Sequence, residues 1–143
     1  MKRFRRDERG SAAIEAVVVA PAVVLLISLV VLGGRVALAH QTVQAIAADT
    51  ARAASLERTA AKARQAANTA MAAGIDQQLT CTSHQLELDL ADFAKPPGTP
   101  AVVSVTLTCR VPTAELALPG LAGTITVRAT MTSPIDTFRE RAR

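Results

Sequence analysis

The chain has 143 residues and a formal net charge of +4, and half of its residues are hydrophobic although it contains three Phe and no Trp or Tyr. So little aromatic volume excludes a large aromatic core and gives no stacking platform for single-stranded nucleic acid. The first ten residues carry +3 of the charge. Because this excess lies beside an apolar run, it indicates membrane topology rather than a nucleic-acid surface.

A long apolar run follows the basic segment. Ala12 to Gly34 is 23 residues, about 35 Å of helix at ~1.5 Å per residue, which exceeds the ~30 Å hydrocarbon core of a bilayer. We therefore predict a cytoplasmic leader over residues 1–10 and one transmembrane helix over residues 11–34. Since the basic flank precedes the span, everything after Arg35 is expected outside the cytoplasm.

Two alternatives to this anchored topology stay open. Ala37-Leu38-Ala39 fits the A-x-A pattern of a signal-peptidase site, which would release a secreted binding module beginning at His40. The apolar run is longer than the ~7–15 residues typical of a signal peptide, and Glu15 and Arg35 flank it, so we prefer the anchor. The third possibility is an uncleaved single-pass adaptor that keeps Met1.

Glu15 is the acidic residue just inside the apolar run. An ionised carboxylate at mid-bilayer costs roughly 2.5–3.5 kcal/mol, and the simplest explanation is that this one reaches the interface near Arg9. A cut after Gly10 would make Ser11 the first residue and place Glu15 four positions from a new ammonium group. In a bundle of parallel helices, the carboxylate would then pair with the amino terminus of a neighbour.

The string RGSAAIEAVVVAPAVVLLISLVVLGG resembles the amino terminus of TadE-like (TadE/TadG) proteins, which are pilin-like pseudopilins of tight-adherence (Flp) pilus assembly systems. Arg9, Gly10, Glu15 and Pro21 match that pattern, whereas Ala16 replaces the usual aromatic residue. The resemblance implies a subunit or assembly factor in the bacterial cell membrane. It also implies processing between Gly10 and Ser11 by prepilin peptidase, and contacts with membrane lipid and other pilin-like or Tad proteins.

Residues 35–74 predict a helical stem outside the membrane. No proline interrupts Arg35–Ala73, and the stretch is rich in Ala, the best helix former. Val36, Val43 and Ile46 begin a weak amphipathic stripe, and Gly74 is the predicted stop. Together, the transmembrane span and the stem are predicted to form one helix of more than about 60 residues.

Residues 75–143 predict a small β-rich head with a charged tail. Apolar and polar residues alternate in HQLELDL, AVVSVTLTC and TITVRATMT, with turn residues in KPPGTP and PGLAG between them. This alternation is typical of half-buried strands. We therefore predict a small antiparallel sheet of about three strands, and an α+β fold for the chain.

Two cysteines, Cys81 and Cys109, lie in the predicted head. Outside the cytoplasm such a pair predicts a disulfide, contributing roughly 3–4 kcal/mol by closing its loop. The rival is a metal site of Cys81, His84 and Cys109, although no second closely spaced ligand pair completes a zinc motif. The sequence has no phosphate-binding loop, nucleophile elbow or paired-His motif, so we expect neither enzyme activity nor a cofactor.

Overall fold

The computed structural model describes residues 9–113 and 123–138, with side chains from Glu15 onward. Two helices precede three strands, and a 3-10 turn joins the first two strands: α1 Arg9–Ser55, α2 Ala60–Gln78, β1 Ser83–Asp89, the turn Ala91–Ala94, β2 Ala101–Pro112 and β3 Thr124–Ile135. The predicted α+β class, with a long apolar amino-terminal helix, is confirmed. The end of the predicted charged tail, with Arg139, Arg141 and Arg143, lies outside the described residues.

The chain divides into a first unit, Met1–Arg35, and a second unit, Val36–Arg143. The first unit contains the apolar part of α1. The second unit contains the rest of α1 together with α2 and the sheet. The second unit therefore begins within the predicted stem, and stem and head form one packed body.

The predicted stem is two helices rather than one. α1 ends at Ser55 and α2 begins at Ala60, so the expectation of a single helix of more than 60 residues is wrong. Thr59 caps α2: it is extended, with φ −130° and ψ 148°, and its hydroxyl accepts a hydrogen bond from the amide of Lys62. Capping by a threonine side chain satisfies an amide that a helix start leaves without a partner, so a reversal here needs neither glycine nor proline.

Gly74 does not end a helix as predicted, because α2 continues to Gln78. A β-carbon placed on Gly74 would lie 2.9 Å from Cγ2 and 3.0 Å from Cγ1 of Ile46. The missing side chain therefore lets α2 pass close to α1. Since the two helices are joined by a short connection and meet again at this contact, α2 runs back along α1.

The sheet is antiparallel with strand order β1-β2-β3. Leu86 pairs with Leu107, and Leu107 pairs with Ala129, so the predicted apolar faces of the three strands lie side by side. The inner positions of β2 are buried along its whole length, while alternate positions are exposed or half-buried. The three strands predicted from alternation are confirmed.

The core of the second unit is built from one face of each helix and the inner face of the sheet. The buried side chains of the helices are aliphatic or alanine, apart from two hydroxyl residues: Ala39, Val43, Ile46, Ala47, Thr50, Ala51, Ala54, Ser55, Ala63, Ala67 and Met71. Thr50 donates its hydroxyl to the carbonyl of Ile46 at 2.7 Å. The hydroxyls of Ser55 and Ser133 are 2.9 Å apart, which ties the end of α1 to β3 and satisfies both groups.

Candidate functional site

The apolar part of α1 exposes its side chains in the described part of the first unit. Eleven large aliphatic residues between Val17 and Val31 are 46–72% exposed. The helix has a mean hydropathy of 2.9 over its most apolar window, and none of that window is buried. Among the described residues it is the one helix long and apolar enough to cross a membrane. These properties indicate a single-pass membrane anchor, and a signal sequence near the amino terminus would share them.

Polar groups inside the span are limited to groups that a helix can accommodate. The hydroxyl of Ser28 donates to the carbonyl of Val24 at 2.8 Å, so it needs no partner from outside the helix. Pro21 lies within α1 and donates no amide hydrogen bond to the preceding turn. Such a proline is tolerated in transmembrane helices when neighbouring helices or local adjustments satisfy the freed carbonyl. This segment therefore suits either lipid or a bundle of similar helices.

Glu15 lies in α1 with an exposed side chain, at the leader end of the apolar run. No Asp, Glu, Lys, Arg or His occurs from Ala16 to Gly34. Glu15 is therefore the last ionisable side chain before the apolar run. Gly10 and Ser11 are helical in the backbone, and their side chains lie outside the description. Cleavage between them, and a pairing role for Glu15, stay predictions.

The possible signal-peptidase site lies in folded structure. Ala37-Leu38-Ala39 is helical, and Ala39 is 7% exposed and belongs to the core of the second unit. Cleavage after Ala39 would therefore remove a core residue from the amino end of this unit. His40 is exposed on the following position. The folded second unit thus includes residues on both sides of that bond.

Cys81 and Cys109 form a disulfide, with their Cα atoms 5.7 Å apart. The predicted pair is therefore present, and it joins the segment before β1 to the central strand β2 near its carboxyl end. His84 lies opposite Cys109 in the strand register, close to both cysteines. Because each thiol is used in the S–S bond, the rival metal site of Cys81, His84 and Cys109 lacks its thiolate ligands. The described residues contain no cluster of three metal-ligating side chains.

The acidic residues near the end of β1 have structural partners. Asp89 accepts a hydrogen bond from the amide of Ala91 at 3.1 Å. Asp92 accepts one from the amide of Val102 at 3.0 Å and pairs with Lys95 at 2.7 Å. These contacts hold the 3-10 turn against the start of β2. They give both carboxylates a structural role.

An apolar patch that the sequence did not reveal lies where α1 meets the end of β3. Leu56 is 57% exposed and Phe138 is 92% exposed, and both line one open depression with Pro134 and Ile135. Ile135 is buried in the core below the depression, and we call the three exposed residues Leu56, Pro134 and Phe138 the Leu56–Phe138 patch. Leu56 and Phe138 are far apart in the sequence, so only the fold brings them together. A large exposed aromatic beside an aliphatic side chain is typical of a protein contact surface.

Residues 10–52 match a family model described as TadE-like protein. The match confirms the resemblance predicted from the sequence, and it covers nearly all of α1, including Gly10, Glu15 and Pro21. No curated protein and no solved structure is significantly similar to the chain. The family similarity therefore concerns the apolar helix and the first part of the second unit.

Proposed function

We propose that this protein is a membrane-anchored, pilin-like subunit or assembly factor of a tight-adherence (Flp, type IVc-like) pilus, with a non-enzymatic role. The observation that supports it most strongly is that the residues similar to TadE-like proteins include the whole exposed apolar part of α1. The similarity suggests association with other pilus assembly components. The exposed helix supplies a surface for lipid and for neighbouring pilin-like helices.

In this proposal the amino terminus lies in the cytoplasm of a bacterial cell and the second unit lies outside the cell membrane. Positive charge is concentrated before the span, as the positive-inside rule requires. The disulfide between Cys81 and Cys109 supports the same orientation, because disulfides persist in extracytoplasmic compartments and are rare in the cytosol.

Glu15 is proposed to set the position of the helix within an assembly. An exposed carboxylate at the entrance of an apolar helix is stabilised when a positive charge compensates it in a low-dielectric setting. Removal of residues 1–10 by prepilin peptidase would create that charge at Ser11 of a neighbouring subunit.

The Leu56–Phe138 patch is proposed as the contact of the second unit with another assembly component. Ser55 contacts Ser133 beside it, so the patch lies next to a hydrogen-bonded junction of α1 and β3. A preorganised apolar anchor binds with a smaller ordering cost than a flexible one.

The amino-terminal residue of the mature protein separates this proposal from its alternatives. The chain is expressed in a bacterium that carries a tight-adherence system, and the membrane and medium fractions are analysed by intact mass and amino-terminal sequencing. Ser11 in the membrane fraction supports the pilin-like route. His40 in the medium would replace it with the secreted binding module, and Met1 without any pilus association would replace it with the uncleaved adaptor.

The role of Glu15 is tested by two substitutions with a matched control. Glu15→Ala and Glu15→Gln both remove the charge, and Gln keeps the size of the side chain. We expect both to insert into membrane as the natural chain does but to co-purify poorly with other pilus components. Asp49→Ala, at an exposed acid of α1 within the second unit, should leave co-purification unchanged. Unchanged assembly of both Glu15 variants would remove the carboxylate from the mechanism.

A further inference from the structure

A shallow polar depression lies on the outer face of the sheet, away from the core. Its lining consists of polar residues from all three strands: Ser83, His84, Gln85, Thr108, Arg110 and Thr126. Ser83, Arg110 and Thr126 share one row across the sheet because Ser83 pairs with Arg110 and Arg110 pairs with Thr126. At about 260 Å³ the depression is smaller than the ~300–1,000 Å³ of pockets that enclose drug-sized ligands. It therefore suits a small polar group.

The charge of the depression favours an anion. Arg110 is exposed, and within residues 15–113 and 123–138 no carboxylate oxygen lies within 4.0 Å of its guanidinium. The neighbouring Arg128 is already engaged by Glu87 at 3.2 Å. Hydroxyls of Ser83, Thr108 and Thr126 can donate hydrogen bonds beside Arg110. A guanidinium together with hydroxyl donors recognises phosphate and carboxylate oxygens.

The depression lies at the end of the second unit where α1 enters it. The hydroxyl contact of Ser55 with Ser133 puts the carboxyl end of α1 at the opposite end of the sheet. Ser133 pairs with Val103, which lies six residues from Cys109 along β2, or about 20 Å at ~3.3 Å per residue. The helix α1 leads back from Ser55 towards Ala39, so the row of Arg110 is on the Ala39 side.

The path of α2 gives an independent indication of the same arrangement. α2 runs back along α1, and Gly74 meets Ile46 before α2 ends at Gln78. The chain then reaches Cys81, which is bonded to Cys109, next to Arg110. The end of α2 that lies towards the amino end of α1 is thus tied directly to the end of the sheet that carries the depression.

Few residues separate the apolar run from the first core residue of the second unit along the chain. Leu32 is the last apolar residue of the run, and Ala39 already belongs to the core of the second unit. Seven residues span at most about 25 Å even when fully extended at ~3.3–3.6 Å each. If the run lies in a bilayer, the core of the second unit therefore begins no more than about 25 Å of chain from the last apolar residue of the run.

We propose that the depression around Arg110 binds the phosphate of an anionic phospholipid headgroup from the membrane that holds α1. This inference rests on the proposed function, because it requires the apolar run to be inserted in lipid. The bound headgroup would orient the second unit on the membrane surface. A basic side chain near an anionic surface contributes on the order of 1 kcal/mol, and 1.4 kcal/mol is tenfold in affinity, so loss of Arg110 should weaken binding about fivefold.

The test uses the full chain, isotope-labelled and reconstituted in nanodiscs of neutral phosphatidylcholine. Dihexanoyl phosphatidylglycerol is titrated below its micelle concentration, and amide chemical shifts of β2 and β3 are followed by NMR. We expect saturable shifts around Arg110 and Thr126, with an apparent Kd about fivefold weaker in Arg110→Gln. Thr126→Val, which removes a hydroxyl with little change of shape, should also weaken binding. Arg58→Gln, at an exposed arginine between the helices, should leave the Kd unchanged.

Three results would overturn the proposal. We expect inorganic phosphate to bind more weakly than the lipid, and equally tight binding of phosphate would reduce the depression to a free-anion site. If dihexanoyl phosphatidylcholine gives the same chemical-shift changes as dihexanoyl phosphatidylglycerol, the depression does not require a headgroup with a net negative charge. An equal Kd for Arg110→Gln and the natural chain would exclude Arg110 from the binding site, provided that the chemical-shift dispersion of the sheet amides shows that the variant is folded.

Flotation with vesicles separates failure of this inference from failure of the proposed function. If the natural chain does not float with vesicles of any composition, the membrane-anchored function itself fails. If the natural chain and Arg110→Gln both float while their Kd values for the short-chain lipid are equal, the anchor stands and only the headgroup site fails.

Discussion

The contact between Gly74 and Ile46 makes a quantitative prediction about the packing of α1 and α2. Replacing Gly74 by Ala adds a β-carbon 2.9 Å from Cγ2 and 3.0 Å from Cγ1 of Ile46. Ile46 is β-branched and 1% exposed, so it has little freedom to move. Overpacking of this kind costs ~1–3 kcal/mol, whereas Ala in place of Gly inside a helix contributes ~1 kcal/mol. We expect a net loss of about 1 kcal/mol in the free energy of unfolding.

The cause of this loss is isolated by a double-mutant cycle. Ile46→Ala removes both atoms that crowd position 74 and should cost ~2–5 kcal/mol through lost burial and the cavity that remains. In the Ile46→Ala background, the new β-carbon meets the β-carbon of residue 46 at 3.5 Å, an ordinary van der Waals contact, so Gly74→Ala should stabilise by ~1 kcal/mol. The coupling between the two positions is therefore expected to be about 2 kcal/mol. Ala72→Gly, at an exposed position of α2, measures the helix-propensity contribution alone.

Unfolding by urea is followed with the full chain in detergent micelles. Because the chain contains no Trp or Tyr, far-UV circular dichroism reports the transition, and hydrogen exchange of the β2 amides identifies unfolding of the second unit. A Gly74→Ala variant that gains ~1 kcal/mol in both backgrounds, additive within ~0.5 kcal/mol, would contradict the close approach of the two helices.

Three further substitutions test other parts of the second unit. Thr59→Ala should lower its free energy of unfolding by ~1 kcal/mol through loss of the α2 cap, whereas Thr69→Ala, inside the same helix, should not destabilise it in urea titrations. Replacing Cys81 and Cys109 together by Ser should cost roughly 3–4 kcal/mol, and an unchanged urea midpoint would exclude a stabilising bond. Phe138→Ser should alter stability by less than ~0.5 kcal/mol yet reduce co-purification with pilus components; unchanged co-purification would exclude the Leu56–Phe138 patch.

The strands could be predicted from sequence because each has one face against the core. Inner positions of β2 such as Val105 and Leu107 are fully buried, while their neighbours Thr106 and Thr108 are not. A period of two residues then appears directly in the sequence. The cysteine pair was predictable for a different reason, since compartment and count restricted the pairing to Cys81 with Cys109.

The break between the helices was missed because its sequence signal is a single capping threonine. Thr59 is one of several Thr residues in an alanine-rich stretch, and nothing local distinguishes it from Thr69. Gly74 was misinterpreted because a glycine in a helical pattern fits both a helix end and a close approach of two helices. The Leu56–Phe138 patch needs the tertiary fold, since no local pattern links its members.

The two parts of α1 require different surroundings, and this difference carries the functional argument. In the second unit, buried positions such as Val43, Ile46 and Thr50 recur at helical spacing, so the chain itself covers that stripe. Between Val17 and Val31 the large aliphatic residues are exposed on all sides. Full burial of one such side chain contributes ~1.5–3 kcal/mol. Scaled by the exposed fraction of these residues, covering all of them contributes on the order of 10–20 kcal/mol. This is comparable to the ~5–15 kcal/mol that stabilises a typical domain.

No described residue of the chain covers that surface, which leaves it available to lipid or to neighbouring helices. A bilayer covers it without specificity, whereas a bundle of parallel pilin-like helices covers it and also offers a positive amino terminus to Glu15. Lipid alone leaves the charge of Glu15 at the interface, where its removal costs nothing. If the Glu15 variants insert normally into the membrane but fail to assemble, lipid alone does not explain the effect and a bundle of helices is needed. The same result would place the contact between the helices at the leader end of α1.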